Sequence, residues 1–331
     1  MSSSHSSSSK PSKSKSDTAV GNPKKDCAVK NGPSDKEIML EHGFYLGRKI
    51  GSGSYSKVKF AVTKNQFDKV AVKIIDRRRA PSDYQEKFLP RELHVIKFLK
   101  TVHIIRTYDW FEENQKIFQI MEFAEGGDVL EYIRTVSKGP VDELLAQKWI
   151  LQTTRAIAFM HTRGIVHRDV KCENLLLDAN NNIKLSDFGF CRLMNVLHLS
   201  QTYCGSAAYA APEIIRSQPY CPFLSDVWAL GVVSYIMVTG YMPFGDDVRN
   251  VAKILEAQQR GVHFPTSGPA LSEGCKSMIR GMLTVDPGPR LDIQLALAHQ
   301  WFRDSAPEVY DRAAVELIRK IEIDDDDGWS Y

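Results

Sequence analysis

His167-Arg168-Asp169-Val170-Lys171-Cys172-Glu173-Asn174, followed after a short run by Asp187-Phe188-Gly189, is the stretch on which the reading of this chain turns. It supplies an acid, an amide and a second acid. Asp169 and Asn174 stand five residues apart in a polar turn, and Asp187 follows Ile183, Lys184, Leu185 and Ser186, whose alternation predicts a short strand. Singly, each acid reads as a cap or turn residue. Together, with His167, Arg168, Phe188 and Gly189 beside them, they read as oxygen ligands for a hard divalent cation and a proton acceptor.

Such cations share their shell between protein oxygens, phosphate and water, and phosphoryl transfer needs them together with a group that orients a hydroxyl. Upstream, Ile50-Gly51-Ser52-Gly53-Ser54-Tyr55-Ser56-Lys57-Val58 is a glycine loop in which Gly51 and Gly53 let the backbone approach phosphate oxygens. A dinucleotide site would need a third glycine at Ser56 and a helix afterwards. Instead Val58, Phe60 and Val62 alternate with Lys59 and Ala61, which predicts that the loop caps a hairpin. In the next predicted strand, residues 70–75, Ala71 and Lys73 share a face, where a small residue admits an adenine and an ammonium reaches phosphate. In a predicted helix over residues 91–100, Phe88, Glu92, Ile96 and Leu99 share a face, so Glu92 points inward and requires a cation; Lys73 is the candidate.

The strand pattern of residues 117–122 gives way to glycines in Phe123-Ala124-Glu125-Gly126-Gly127-Asp128, which reads as a hinge between lobes. Met121 then flanks the nucleotide pocket, with the backbone of Glu122 to Ala124 at the adenine edge. An amphipathic run over 144–161 leads into the catalytic loop. From Asp187 to Glu213 the chain is rich in polar and small residues, the mark of a functional loop. Phosphate on Thr202 would carry about −1.5 to −2 charge and could pair with Arg168 and Arg192.

These pieces resemble the eukaryotic protein kinase family over about residues 44–303. Closer still, Glu86-Lys87-Phe88-Leu89-Pro90-Arg91-Glu92 and Gly205-Ser206-Ala207-Ala208-Tyr209-Ala210-Ala211-Pro212-Glu213 are similar to the testis-specific serine kinases, near the calmodulin-kinase group. The resemblance implies an α+β, two-lobed protein-kinase fold, with a small antiparallel-sheet N-lobe carrying one helix over a larger helical C-lobe. It implies ATP and Mg²⁺ as cofactors, Asp169 as base, Asn174 and Asp187 as metal ligands, and Leu176 in the ATP site. Lys171 resembles the serine/threonine pattern. Asp128 and Glu173 match positions that receive an Arg three residues before the acceptor in basophilic relatives. Asp226 is implied to anchor the catalytic loop and Arg290 to pair with Glu213. The subfamily is associated with sperm development.

Other readings fare worse. A scaffold without activity is expected to lack Lys73, Asp169 or Asp187, and all are present. A small-molecule phosphotransferase would not need the long segment ending Ala211-Pro212-Glu213. Of 331 residues 43% are hydrophobic, enough for a large core in two lobes, and a net charge of +3 gives no case for nucleic acid or membrane. Six scattered cysteines suit a reducing compartment. Ten of the first twenty residues are Ser, so residues 1–40 are expected to be a disordered tail, with 41–303 the kinase domain (N-lobe 41–121, hinge 122–127, C-lobe 128–303). No signal-peptide core, myristoylation glycine or run of 18 apolar residues is read, so a cytoplasmic monomer is expected; the Lys10 to Lys15 cluster leaves nuclear access open. Residues 304–331 form a short acidic tail: Tyr310, Ala314, Leu317, Ile318 and Ile321 have helical spacing, but Asp324 to Asp327 should repel acidic calmodulin, so calmodulin is not an expected partner.

Overall fold

The computed structural model describes residues 32–305 apart from residues 54, 83, 196–198, 203–204, 246 and 248. The Ser-rich stretch 1–31, Ser54 of the glycine loop and the acidic tail with its 310–321 pattern lie outside the described residues.

Five strands, β1 (Phe44–Ser52), β2 (Ser56–Thr63), β3 (Lys69–Asp76), β4 (Thr107–Glu113) and β5 (Lys116–Glu122), form an antiparallel sheet in the order β1-β2-β3-β5-β4. Register sorts its two faces. Val58 pairs with Lys73 and Lys73 with Gln119, while Phe60 pairs with Ala71 and Ala71 with Met121, so these six side chains share one face. Ala61, Val70, Val72, Ile74, Phe118 and Ile120 form the other face, and all are buried.

That second face explains a helix the sequence reading missed. Asp35–Glu41 lies on it and buries Ile38 and Met39 completely, a gain of about 1.5–3 kcal/mol each before entropy. Ser34 caps the helix: its hydroxyl accepts from Glu37 N (3.3 Å) and the Glu37 carboxylate accepts from Ser34 N (2.6 Å). Asp35 accepts from Lys57 of β2 (2.5 Å) and Lys116 of β5 (2.6 Å), tying the helix to two strands. Residues 35–41 of the stretch expected to be a tail are thus a packed helix ahead of the expected domain start at 41, and among the described residues the N-lobe carries two α-helices where one was expected. The spacing Ser34-x-x-Glu37 before Ile38 and Met39 was the available signal.

The second N-lobe helix is Leu89–Val95, shorter than the expected 91–100. A wider, π-type turn, Tyr84–Phe88, precedes it. Pro90 has no N–H to give residue 86 and its ring crowds that carbonyl, which accounts for the widening. Glu92, Ile96 and Leu99 are buried as expected; the Phe88 side chain lies outside what is described.

The C-lobe is helical, built around Glu143–His161 and Pro222–Thr239. The latter is long and apolar enough by composition to cross a membrane, although Ser225, Asp226 and Ser234 interrupt its apolar residues, and 89% of it is buried in the protein core. A short ladder of Ile165–Val166 with Arg192–Leu193 brackets the stretch from His167 to Gly189, and a second, Leu175–Leu177 with Ile183–Leu185, lies within it. Gly126 lies so close to the C-lobe that a Cβ would stand 2.7 Å from Leu177 Cβ, and its N–H donates to Leu177 O (2.8 Å). The α+β, two-lobed architecture is as expected.

Candidate active site

Lys73 lies at the centre of the sheet face that looks into the cleft between the lobes. Its ammonium donates to Glu92 Oε1 (2.7 Å) and to Asp187 Oδ1 (3.1 Å), drawing together β3, the Leu89–Val95 helix and the Asp-Phe-Gly turn. Glu92 is 1% exposed, so the pair satisfies a carboxylate that water does not reach. Burial opposes the Lys73 charge, but Glu92 and Asp187 hold its pKa well above the ordinary value. The Lys73 ammonium in turn brings Asp187 down to about 2 against its own burial, so this carboxylate is ionised throughout the neutral range. Asp187 has φ +63°, a left-handed conformation that Asp tolerates and that turns its carboxylate out while Phe188 is buried.

Asp169 is 4% exposed and densely contacted. Lys171 Nζ donates to Oδ2 (2.6 Å), Asn174 Nδ2 to the backbone carbonyl (2.8 Å) and Oδ2 (3.1 Å), and the Ser206 hydroxyl to Oδ1 (3.2 Å). The Asn174 amide nitrogen is thus engaged by Asp169, which leaves its carbonyl oxygen as the atom it can offer a cation. Gly205 delivers Ser206: it has φ +100°, and a Cβ there would stand 2.4 Å from Arg168 O.

Asp226 supports this loop from below. Its carboxylate accepts from the backbone N–H groups of His167 and Arg168 (2.8 Å each) and from His161 (3.0 Å). Burial works against its charge, but the hydrogen bonds from His161 and His167 keep its pKa below the usual carboxylate value. Arg168 is held at φ +66°, a strained region for a side chain of its size, stabilised by this clamp.

Above, Gly51 pairs with Val58 and Ser52 with Lys57 across the hairpin, while Gly53 N donates to Ser56 O (3.0 Å). Of the apolar residues expected around a purine, Ala71 and Met121 are paired across β3 and β5. At the hinge, Glu122 N–H is committed to Arg106 O (2.8 Å), so a ligand at the expected 122–124 edge would meet Glu122 through its carbonyl rather than its N–H. The Glu122 side chain instead joins Lys184 of the C-lobe (2.6 Å).

Thr202 is exposed, and its carbonyl accepts from Tyr220 OH (3.0 Å). Arg192 and Thr202 line one surface cleft, while Arg168 Nε donates to Phe190 O (2.7 Å). Among the described residues neither arginine pairs with Thr202. Asp128 caps the following helix by accepting from Glu131 N (2.8 Å), and Glu173 is exposed and accepts from Tyr209 OH (3.3 Å). Both lie close to Cys172: its thiol pKa is pushed up chiefly by burial and further by the charges of Glu173 and Asp128. Glu213 and Arg290 form a bidentate pair at 2.7 and 2.9 Å.

Ser206, Tyr84 and His161 contact these groups and were not anticipated. Ser206 follows the loop glycine, but nothing local says which acid it meets; that contact spans 37 residues.

With this geometry in view, the comparisons are specific. The protein kinase domain family matches residues 44–302. Mouse testis-specific serine/threonine-protein kinase 1 is 45% identical over 279 residues, 82% of this chain and 75% of the relative. Human testis-specific serine/threonine-protein kinase 4 is 45% identical over 262 residues, covering 74% and 78%. Human testis-specific serine/threonine-protein kinase 3 is 41% identical over 269 residues, covering 80% of this chain and 98% of the relative.

Proposed function

The chain belongs to the protein kinase family as a serine/threonine kinase resembling the testis-specific group, and from that premise we propose that its interlobe cleft binds Mg-ATP and phosphorylates basic protein substrates in sperm development. The observation that carries the site assignment is Lys73, bonded at once to Glu92 and Asp187 beside an Asp169 held by Lys171, Asn174 and Ser206.

The residues fit the ligand. An ionised Asp187 and the free carbonyl oxygen of Asn174 are the hard donors Mg²⁺ takes, and Lys73 is a cation placed for the phosphates. When bound, Mg²⁺ offsets the charge that develops on the transferring phosphoryl group. Asp169 orients the substrate hydroxyl and accepts its proton, Lys171 neutralises charge beside it, and Ser206 holds the other Asp169 oxygen. The protein acts as a cytoplasmic monomer with access to the nucleus, responds to an upstream kinase, and is not stimulated by calmodulin.

Substrates carry Arg three residues before the Ser or Thr, because the helix-capping Asp128 and the exposed Glu173 are acids that can receive a guanidinium and charge-assisted pairs of this kind are strong. A peptide library should show transfer to Ser and Thr peptides rather than to small alcohols, with kcat/KM about tenfold higher for Arg than Ala at that position. Glu173→Gln should flatten the preference, as should Asp128→Asn, which keeps a good helix cap. A library with no bias at that position removes the acidic subsite from the account.

Activity rises when Thr202 is phosphorylated. The phosphate would add one to three charge-assisted bonds within reach of Arg192 across the shared cleft, with Arg168 turning from Phe190 O. Phosphatase treatment and Thr202→Ala should each lower kcat/KM by about tenfold or more. An alanine variant as active as the phosphorylated enzyme would mean that other contacts order the segment.

A further inference from the structure

Glu92 uses two different partners for its two oxygens. Lys73 takes Oε1 at 2.7 Å, and the hydroxyl of Tyr84 donates to Oε2 at 3.3 Å. Tyr84 begins the widened turn before the helix, and that turn is pinned from behind. Gln85 Nε2 donates to the carbonyls of Arg77 (2.8 Å) and Ala80 (2.9 Å), and Arg77 Nε donates back to Gln85 Oε1 (3.3 Å). On its other side the Tyr84 ring meets the ring of Tyr55, centroids 5.6 Å apart and inclined at 47°. Tyr55 belongs to the glycine loop, and its carbonyl accepts from Asp76 N at the end of β3 (3.0 Å). One side chain therefore touches the loop over the nucleotide site and the carboxylate that holds Lys73.

We propose that Tyr84 is a positioning residue that couples the glycine loop to the Lys73–Glu92 pair, fixing the second oxygen of Glu92 so that Lys73 stays aimed at the nucleotide phosphates. The inference rests on the role given above to Lys73. Glu92 is 1% exposed, and among the described residues Tyr84 is the one donor to Oε2. Without it a charged oxygen is left unsatisfied in the interior, and the relief open to Glu92 is to turn toward water and release Lys73. Burial and the neighbouring Glu92 charge raise the Tyr84 pKa, so the hydroxyl remains a donor across the working pH range. A phenylalanine would fill the same space and keep the Tyr55 contact, but would donate nothing.

Tyr84→Phe is accordingly the decisive variant. Its kcat/KM for ATP should fall about fivefold or more, with KM for the peptide within about twofold of wild type and a melting temperature lowered by no more than about 5 °C. A residue that merely packs would show no such split between ATP and peptide. Because Tyr84 acts through Glu92, the same substitution placed in Glu92→Gln should add less than about twofold. Tyr84→Leu, which also removes the ring, should bind Mg-ATP more weakly than Tyr84→Phe in a direct titration. A Tyr84→Phe enzyme within about twofold of wild type for ATP, or an undiminished effect in Glu92→Gln, overturns the role of Tyr84. Lys73→Met is assayed alongside: if it keeps wild-type turnover, the reading of the cleft fails and this inference with it. An inactive Lys73→Met beside a normal Tyr84→Phe overturns Tyr84 alone.

Discussion

Asp169→Ala should lower turnover by about 10²–10⁴-fold while leaving nucleotide affinity close to wild type, and Asp187→Ala should abolish Mg-dependent transfer and weaken nucleotide binding as well. The two acids differ in what surrounds them. Asp169 is buried beneath Lys171, Asn174 and Ser206, and its removal takes away the group proposed to orient the acceptor hydroxyl without touching the bonds of Lys73 to Glu92 and Asp187. Asp187 opens toward the cleft and is bonded to Lys73, so its loss removes the proposed metal ligand and one of the two counter-charges of that lysine. Single-turnover phosphate transfer together with an ADP titration, with and without Mg²⁺, separates the two effects. Near-wild-type turnover in either variant would overturn the mechanism assigned here.

Arg290→Ala should be the most damaging substitution for stability outside the cleft, at about 3–5 kcal/mol. The Arg290 side chain is fully buried, paired in a fork with Glu213, and donates also to the carbonyls of Thr284 (2.9 Å), Leu224 (3.3 Å) and Val285 (3.2 Å). Its guanidinium lies 4.9 Å from the centre of the Trp228 ring. Taking it away leaves Glu213 charged and 6% exposed at the end of the loop that begins at Asp187, with several carbonyls unpaired. For a domain of this size the melting temperature should fall by roughly 10 °C. Arg290→Lys should recover only part of this, because an ammonium cannot form the fork. A double replacement, Glu213→Leu with Arg290→Met, should be less harmful to stability than Arg290→Ala, since no lone charge remains. A melting temperature for Arg290→Ala within about 2 °C of wild type contradicts this account.

Much of the site was legible because the relevant residues are near neighbours along the chain or share a simple period. Asp169, Lys171 and Asn174 lie within one turn, so their spacing alone brings them together. Alternation along β3 set Ala71 and Lys73 on one face, and helical spacing turned Glu92 inward, where its charge demanded a cation. The helix Asp35–Glu41 was legible too, through its capping box, but composition averaged over the first forty residues hid a seven-residue element.

What the chain determined by itself is therefore local: which residues carry oxygen, amide or ammonium, which face of an element they take, and which buried charge needs a partner. The tertiary structure alone decided which distant groups meet. Tyr84 on Glu92, Ser206 on Asp169 and His161 on Asp226 join residues 8, 37 and 65 positions apart. It also decided that Glu122 lends no N–H to a ligand and that Asp128 caps a helix. The reason is physical: period and spacing constrain a side chain relative to its own backbone, whereas contacts between elements follow from sheet register, from the close approach that Gly126 and Gly205 permit, and from where the buried core leaves room.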